Sequence, residues 1–256
     1  MGEVRRSEHA DVLMRVAVLG LGRLGGSLLP LLRAAGVDAV GWRRGEPMPE
    51  ADVYWITVGD PAVPVVAAQV PAGRIVLHAA GAAGPELIDT SVERGVLHPL
   101  MTFPGVEVGL PELRGAGARV AGTDAARAAA RWIAERLGMR PFEVDPARTT
   151  EYHAAACLAA GHLGALFLTA AEVLTRAGVT EEQARALLYP LAAESLRRAA
   201  EAGAGALTGP AVRGDVTTEA RHVAALTPTE AEVYTDMAAR IRTLRLASIP
   251  NLFAPK

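Results

Sequence analysis

Residues 15–27 read Arg-Val-Ala-Val-Leu-Gly-Leu-Gly-Arg-Leu-Gly-Gly-Ser. A β-branched run ends in glycines, and an apolar pattern of helical period follows from Ser27 to Ala35 and stops at Gly36, a good helix C-terminal residue. Gly20, Gly22 and Gly25 stand in the spacing G-x-G-x-x-G. By itself that pattern is weak. After a strand and opening a helix, it is the turn that cradles a dinucleotide pyrophosphate. Gly20 permits the tight turn, Gly22 lets the backbone approach the phosphates, and Gly25 lets helix and strand pack closely. The N–H groups of Arg23 and Leu24 and the positive end of the helix dipole complete an anion site. The alternative is a tight turn with no ligand.

Working outward, strand and helix patterns alternate. Strands are expected over 37–42, 52–58, 74–78 and 95–98, with one more inside 112–121 and a last one at 141–144. Short helices fall over 64–70 and 85–94, and a longer one over 123–137. This order implies parallel βαβ units in a doubly wound sheet. The character changes at Asp145-Pro146, an N-cap followed by proline at the first helical position. No strand signal follows. A long helix is expected to Gly178, then helices opened by the capping box Thr180-Glu-Glu-Gln183, by Asp215, and by a second box, Thr227-Pro-Thr-Glu230. The fold class is therefore α/β: a Rossmann-type domain over 14–145, an all-helical domain over 146–256, and a short polar extension at 1–13, with Met14 a candidate natural start.

Composition narrows the function. The chain has 256 residues, half of them hydrophobic and 21% charged, which excludes disorder for its bulk. A net charge of −2 gives no sign of the basic surface that a nucleic-acid binder carries. The one cysteine, Cys157, excludes an internal disulfide and a cysteine-rich metal centre, so no metal is expected, and it fits a reducing cytoplasm. The one lysine is Lys256, so no internal lysine can act as a base or Schiff-base amine. Residues 154–171 are nearly free of charge. They are short of the roughly 20 strongly apolar residues of a membrane span, and a buried helix is expected instead of a membrane segment.

Ligands of open α/β sheets sit beyond the carboxyl ends of the strands. Thr57, Val58, Asp60 and Gly81 fall there and are candidate cofactor contacts. At the end of the second strand an acid would hold a ribose 2′-hydroxyl, but this chain has Gly41-Trp42-Arg43-Arg44. Arg43 and Arg44 suit a 2′-phosphate, because guanidinium grips phosphate in a fork. The cofactor reading is NADP(H); the other reading is a solvated arginine pair.

Two histidines are candidate proton carriers, since imidazole titrates near neutrality. His98 ends a strand and precedes proline; it contacts substrate or nicotinamide, or is a structural ring bonded to backbone. His153 lies early in the long helix beside Ala156, Cys157, Ala160, Gly161 and Gly164, a face bare of bulk that admits a partner helix or a ligand. His162, nine residues on, points to the other side of a regular helix. Thr208 and Arg213 occupy a polar loop between helices, where Arg213 can bind a carboxylate and Asp215 can cap the following helix. His9 and His222 read as surface residues.

The glycine turn, the His-Pro pair in VLHPLMTF, Glu-Tyr-His-Ala-Ala-Ala at 151–156 and LTGPAVRGDVTTEARH at 207–222 together resemble the Rossmann-like proteins with a C-terminal DUF2520 domain, over about residues 14–247. That family resembles the 6-phosphogluconate dehydrogenase-like superfamily and is described provisionally as NADP-dependent oxidoreductases. The resemblance implies hydride transfer between nicotinamide and a small carbonyl, imine or hydroxy-acid substrate in a cleft between domains, and homodimers formed by the helical domains. His153 falls where β-hydroxyacid dehydrogenases place a catalytic lysine and prephenate dehydrogenases a histidine. Gly161 falls where many relatives have a substrate-holding asparagine, and Ala80 where this family often has serine. Those departures, with the missing lysine, speak against a standard hydroxyacid reaction. A prephenate dehydrogenase-like enzyme, a non-catalytic NADP sensor or scaffold, and a deazaflavin partner are the other readings.

Overall fold

The computed structural model describes residues 14–89 and 92–247. The extension at 1–13, with His9, lies outside the described residues. By compactness the chain divides into two units, the first ending at Ala160 and the second beginning at Gly161.

The first unit is built on a sheet of seven strands among the described residues: β1 (Val16–Leu19), β2 (Ala39–Trp42), β3 (Val53–Ile56), β4 (Ile75–His78), β5 (Glu93–Leu100), β6 (Gly117–Gly122) and β7 (Arg140–Phe142). Their spatial order is β2-β1-β3-β4-β5-β6-β7. The central strands are short and fully buried (Val16 to Leu19 and Val53 to Ile56), which is why they read as apolar runs without alternation. Helices α1 (Arg23–Ala34) and α3 (Asp124–Arg136) cover one face, where Leu28, Leu32, Ala130 and Ile133 meet Val18, Trp55, Leu97 and Val120. Helix α2 (Val63–Ala67) and a 3-10 turn at Pro85–Leu87 cover the other, around Tyr54, Ile56, Val66 and Ile88.

The all-parallel expectation holds for β1 to β5 and for β6 with β7, but β5 and β6 pair antiparallel. The physical reason is the connection. A parallel return needs a crossover of a dozen or more residues, usually helical. Residues 101–116 form no helix, so the chain reverses directly. Of the helical segment expected over 85–94, the described residues form a 3-10 turn at Pro85–Leu87, and β5 begins at Glu93.

After Phe142 every described element is helical. Asp145 accepts from the Ala147 N–H at 2.9 Å and opens a 3-10 turn, Pro146–Arg148. Helix α4 (Thr149–Cys157) follows, then a π-turn (Leu158–His162) and α5 (Leu163–Arg176). The sequence reading divides the chain at 145/146, whereas the first compact unit extends to Ala160, because α4 is tied to the sheet through Thr149 and Tyr152. The π-turn interrupts the regular α-helical hydrogen bonding over Leu158–His162. The bare face drawn from His153 to Gly164, and the opposition of His162 to His153, assume a regular α-helix, which this turn interrupts.

The second unit contains α5, α6 (Glu181–Ala202), α7 (Pro210–Arg213), α8 (Val216–Ala224) and α9 (Pro228–Ala247). Its caps follow the sequence. The Thr180 hydroxyl accepts from the Gln183 N–H while the Gln183 side chain accepts from the Thr180 N–H. Asp215 accepts from the Thr218 N–H, and Glu230 accepts from the Thr227 N–H and pairs with Arg176. The expectation of a buried helix over 154–171 is overturned for the single chain: of residues 146–176 only Thr149 and Ala171 are buried. By length and composition this helix is long and apolar enough to cross a membrane. Its exposed side chains include Leu158, Leu166 and Leu168 as well as alanines.

The glycine turn sets the geometry of the first unit. A Cβ on Gly25 would lie 2.1 Å from the Gly20 carbonyl oxygen and 2.3 Å from Thr57 Oγ1, so this position admits no side chain. Gly25→Ala must push α1 off β1 and β3. Overpacking of that kind costs about 1–3 kcal/mol or more, and chemical denaturation of the variant should show a loss of at least that size.

Candidate functional site

Gly20 adopts φ +101°, a conformation that favours glycine, and ends β1 against β3. The Thr57 hydroxyl donates to the Gly20 carbonyl at 2.7 Å and so ties the turn to the end of β3. Helix α1 begins after Gly22 with no side-chain cap and no acidic residue in its first turn. Its first N–H groups are thus left for an external acceptor. Nothing lies within 4 Å of where a Gly22 Cβ would stand, so the backbone there is open to approach. In front of the turn is a cleft of about 860 Å³, lined among others by Gly20, Gly22, Arg23, Leu24, Thr57, Val58, Asp60 and Ala79. It lies at the carboxyl ends of β1, β3 and β4, where the strand order reverses between β1 and β3, the usual ligand position of such sheets. These residues fit a dinucleotide: an open glycine backbone, uncapped helix N–H groups and space.

Of the expected cofactor contacts, Gly25 does not line the cleft; it is the packing glycine. Arg43 and Arg44 follow β2 in an exposed turn and form no ion pair among the described residues. The Glu46 carboxylate accepts from the Arg43 backbone N–H at 2.8 Å, which shapes that turn. Gly81 is no surface contact either. A Cβ on it would lie 2.5 Å from His153 Nδ1 and 2.8 Å from His98 Nε2. It is the buried spacer between the two histidine rings, whose centroids are 6.0 Å apart.

These rings, which the sequence places 55 residues apart, are brought together by β5 and α4. His98 Nδ1 lies 2.6 Å from the Tyr152 hydroxyl. Phenol always carries a proton to give at neutral pH, and burial pushes Tyr152 up to about 12, so Tyr152 donates and His98 accepts. Burial, followed by the charges of His153, Arg119 and His78, lowers His98 to about 4. His153 has its Nδ1 buried without a partner and its Nε2 3.7 Å from the Cys157 sulfur. His78, fully buried at the end of β4, donates through Nε2 to the Gly84 carbonyl and accepts at Nδ1 from the Ala80 N–H, which fixes the loop carrying Gly81. Its pKa is lowered, chiefly by burial.

Tyr152, Arg119 and Thr149 complete this cluster and were not singled out from the sequence. One signal was available: an arginine inside the strand run Gly-Ala-Arg-Val-Ala-Gly is a charge where the pattern calls for a core residue. The remaining candidates belong to the second unit. Gly161 lies in the π-turn, and Gly161, Thr208 and Arg213 are all exposed. Asp215 caps α8 as expected.

The sign of the His98 effect on stability follows. Its folded pKa lies below the ordinary value of 6.5, so the unfolded chain takes up the proton first as pH falls. The contribution of the neutral ring is whole above pH 6.5 and is lost between pH 6.5 and about 4. By linkage it amounts to roughly 3 kcal/mol. Denaturation curves across this interval should fall more steeply for the natural chain than for His98→Gln; equal slopes would remove His98 as the cause.

Residues 118–241 match the family described as Domain of unknown function (DUF2520). The match begins at β6, inside the sheet, not at the first helix after it. No curated protein matches the chain. Among solved structures, protein TM1727 from Thermotoga maritima is 20% identical with a TM-score of 0.72, over 92% of this chain and 100% of that one. Protein BF3122 from Bacteroides fragilis, named provisionally as an NADP oxidoreductase, is 21% identical with a TM-score of 0.76, over 90% and 98%. An imine reductase from Pseudomonas sp. is 18% identical with a TM-score of 0.60, over 92% and 95%. At these identities the likeness is one of fold. The chain is a Rossmann-like protein that carries a DUF2520 domain at residues 118–241.

Proposed function

We propose that this protein is an NADP(H)-dependent oxidoreductase acting on a small carbonyl, imine or hydroxy-acid substrate. One observation carries the reading: Ala79 lines the cleft before the glycine turn, and two residues further along the same loop Gly81 separates His98 from His153. A dinucleotide site and a pair of proton-handling rings are thereby joined by three consecutive residues. Oxidoreductases of similar fold, whose names carry NADP, support it.

In this reading the N–H groups that open α1 hold the pyrophosphate, Gly22 lets it approach, and Arg43 and Arg44 hold the 2′-phosphate. Bound NADP(H) supplies or accepts the hydride. The chain handles the proton. His153 has its Nδ1 sealed against Gly81, so Nε2, beside Cys157, is the nitrogen that gives or takes it. His98 assists as a neutral ring backed by Tyr152. The cytoplasm is the proposed location, in keeping with the free thiol of Cys157.

Calorimetric titration with NADPH and then NADH tests the cofactor. NADPH should bind more tightly by about tenfold or more, since charged hydrogen bonds contribute about 1.5–3 kcal/mol each. Arg43→Ala with Arg44→Ala should remove most of that preference. Absence of binding by either nucleotide would end the oxidoreductase reading.

We also propose a homodimer through the helical unit. Leu187 and Leu191 stand one turn apart on one face of α6 and are 63% and 66% exposed. An apolar stripe of this kind on a lone helix face marks an interaction surface. Sedimentation equilibrium should give twice the chain mass for the natural protein and the single mass for Leu187→Glu with Leu191→Glu.

A further inference from the structure

β6 sends one charged side chain into the interior. Arg119 stands across the antiparallel ladder from His98 and is 1% exposed. Its Nη1 donates to the Gly81 carbonyl at 3.3 Å and the Ala83 carbonyl at 3.0 Å, and its Nη2 to the Thr149 hydroxyl at 3.1 Å. Thr149 donates in turn to the Pro146 carbonyl at 3.0 Å. The guanidinium carbon lies 5.4 Å from the centre of the Tyr152 ring, and Nε has no partner.

Every one of these acceptors is neutral. Among the described residues Arg119 makes no ion pair. The carboxylate that acts on it, Glu86, is engaged with the Gly84 N–H. Burying a cation without an adjoining anion is strongly unfavourable, and an apolar side chain would fill the same space without that cost. The charge therefore calls for a role beyond packing.

We propose that Arg119 is the positioning residue of the histidine pair. It ties the loop carrying Gly81, and the helix carrying Tyr152 and His153, to the strand facing His98, and its charge adds to burial and to His153 in favouring His98 as a neutral ring that accepts from Tyr152 at Nδ1 and bears its proton on Nε2. This rests on the reading of the histidines as proton-handling groups. The groups acting on His98 are His78 from β4, Arg119 from β6, and His153 and Tyr152 from α4, with no acid among them. The carboxylates of Asp60 and Glu86 act on His78. Removing Arg119 takes away a cation and loosens both tethers, so His98 should protonate more readily and lose its single tautomer.

Long-range proton–nitrogen spectra of the imidazoles in the full-length protein without nucleotide test this, with His98 signals assigned through His98→Gln. The natural chain should show the Nε2–H form of His98 across neutral pH and a midpoint near 4. Arg119→Met should raise the midpoint and mix the tautomers. Arg119→Lys, which restores the charge, should bring the midpoint back. Arg119→Gln repeats the measurement if the methionine variant does not fold. An unchanged midpoint and tautomer in the neutral variants would reduce Arg119 to a packing residue. An Nδ1–H form or an ordinary midpoint in the natural chain would overturn the proposal without any variant. Because no nucleotide is used, failure of NADPH to bind would sink the oxidoreductase reading and leave this one standing.

Discussion

The approach of Gly25 to the Gly20 carbonyl and to Thr57 is the constraint on which the first unit depends. It sets how close α1 lies to β1 and β3 and therefore where the uncapped N-terminus of that helix points. Thr57 contributes from β3 by bonding the turn. A cleft at the carboxyl ends of the strands follows, because the turn lies flat against the sheet and leaves Gly22 outward. The division of labour among the three glycines is physical: Gly20 for backbone conformation, Gly25 for closeness, Gly22 for access.

The second structural decision is the reversal of the chain between β5 and β6. Antiparallel pairing puts His98 and Arg119 opposite each other on one face of the sheet, beside His78 on the adjacent strand β4. The helix that follows the sheet returns over this face and sets Tyr152 and His153 against it. Four cationic or protonatable groups, His78, His98, Arg119 and His153, thus meet where the loop after β4 has been reduced to glycine and alanine. The low proton affinity of His98 and His78 is the consequence of burial among like charges, with no acid close enough to His98 to offset it.

Much of this was legible in the residues. Strands such as Val-Ala-Val-Leu and Ile-Val-Leu are unbroken apolar runs, and the helical segments after Thr123, Asp145, Thr180 and Asp215 open on side chains that accept from their own N–H groups. These are local signals, so they survive without the fold. The long helix after Asp145 was legible as helix but not in its packing: alanine and glycine give helical propensity without naming a partner surface. The π-turn left no local mark in the residues. Arg119 was readable only as an anomaly, a charge in a core strand.

The sequence by itself therefore determined most element types, the glycine turn that opens α1, the helical second half, and both histidines as candidates. Each depends on interactions within a few residues, or on burial patterns that repeat along a strand or helix. The tertiary structure alone decided which groups meet: His98 with Tyr152 and His153 across more than fifty residues, Arg119 with two backbone carbonyls and Thr149, Gly81 as the spacer between rings. Those contacts depend on strand order, on the direction of β6 and on the return path of α4. No spacing along the chain encodes these, because they arise from the packing of elements distant in sequence.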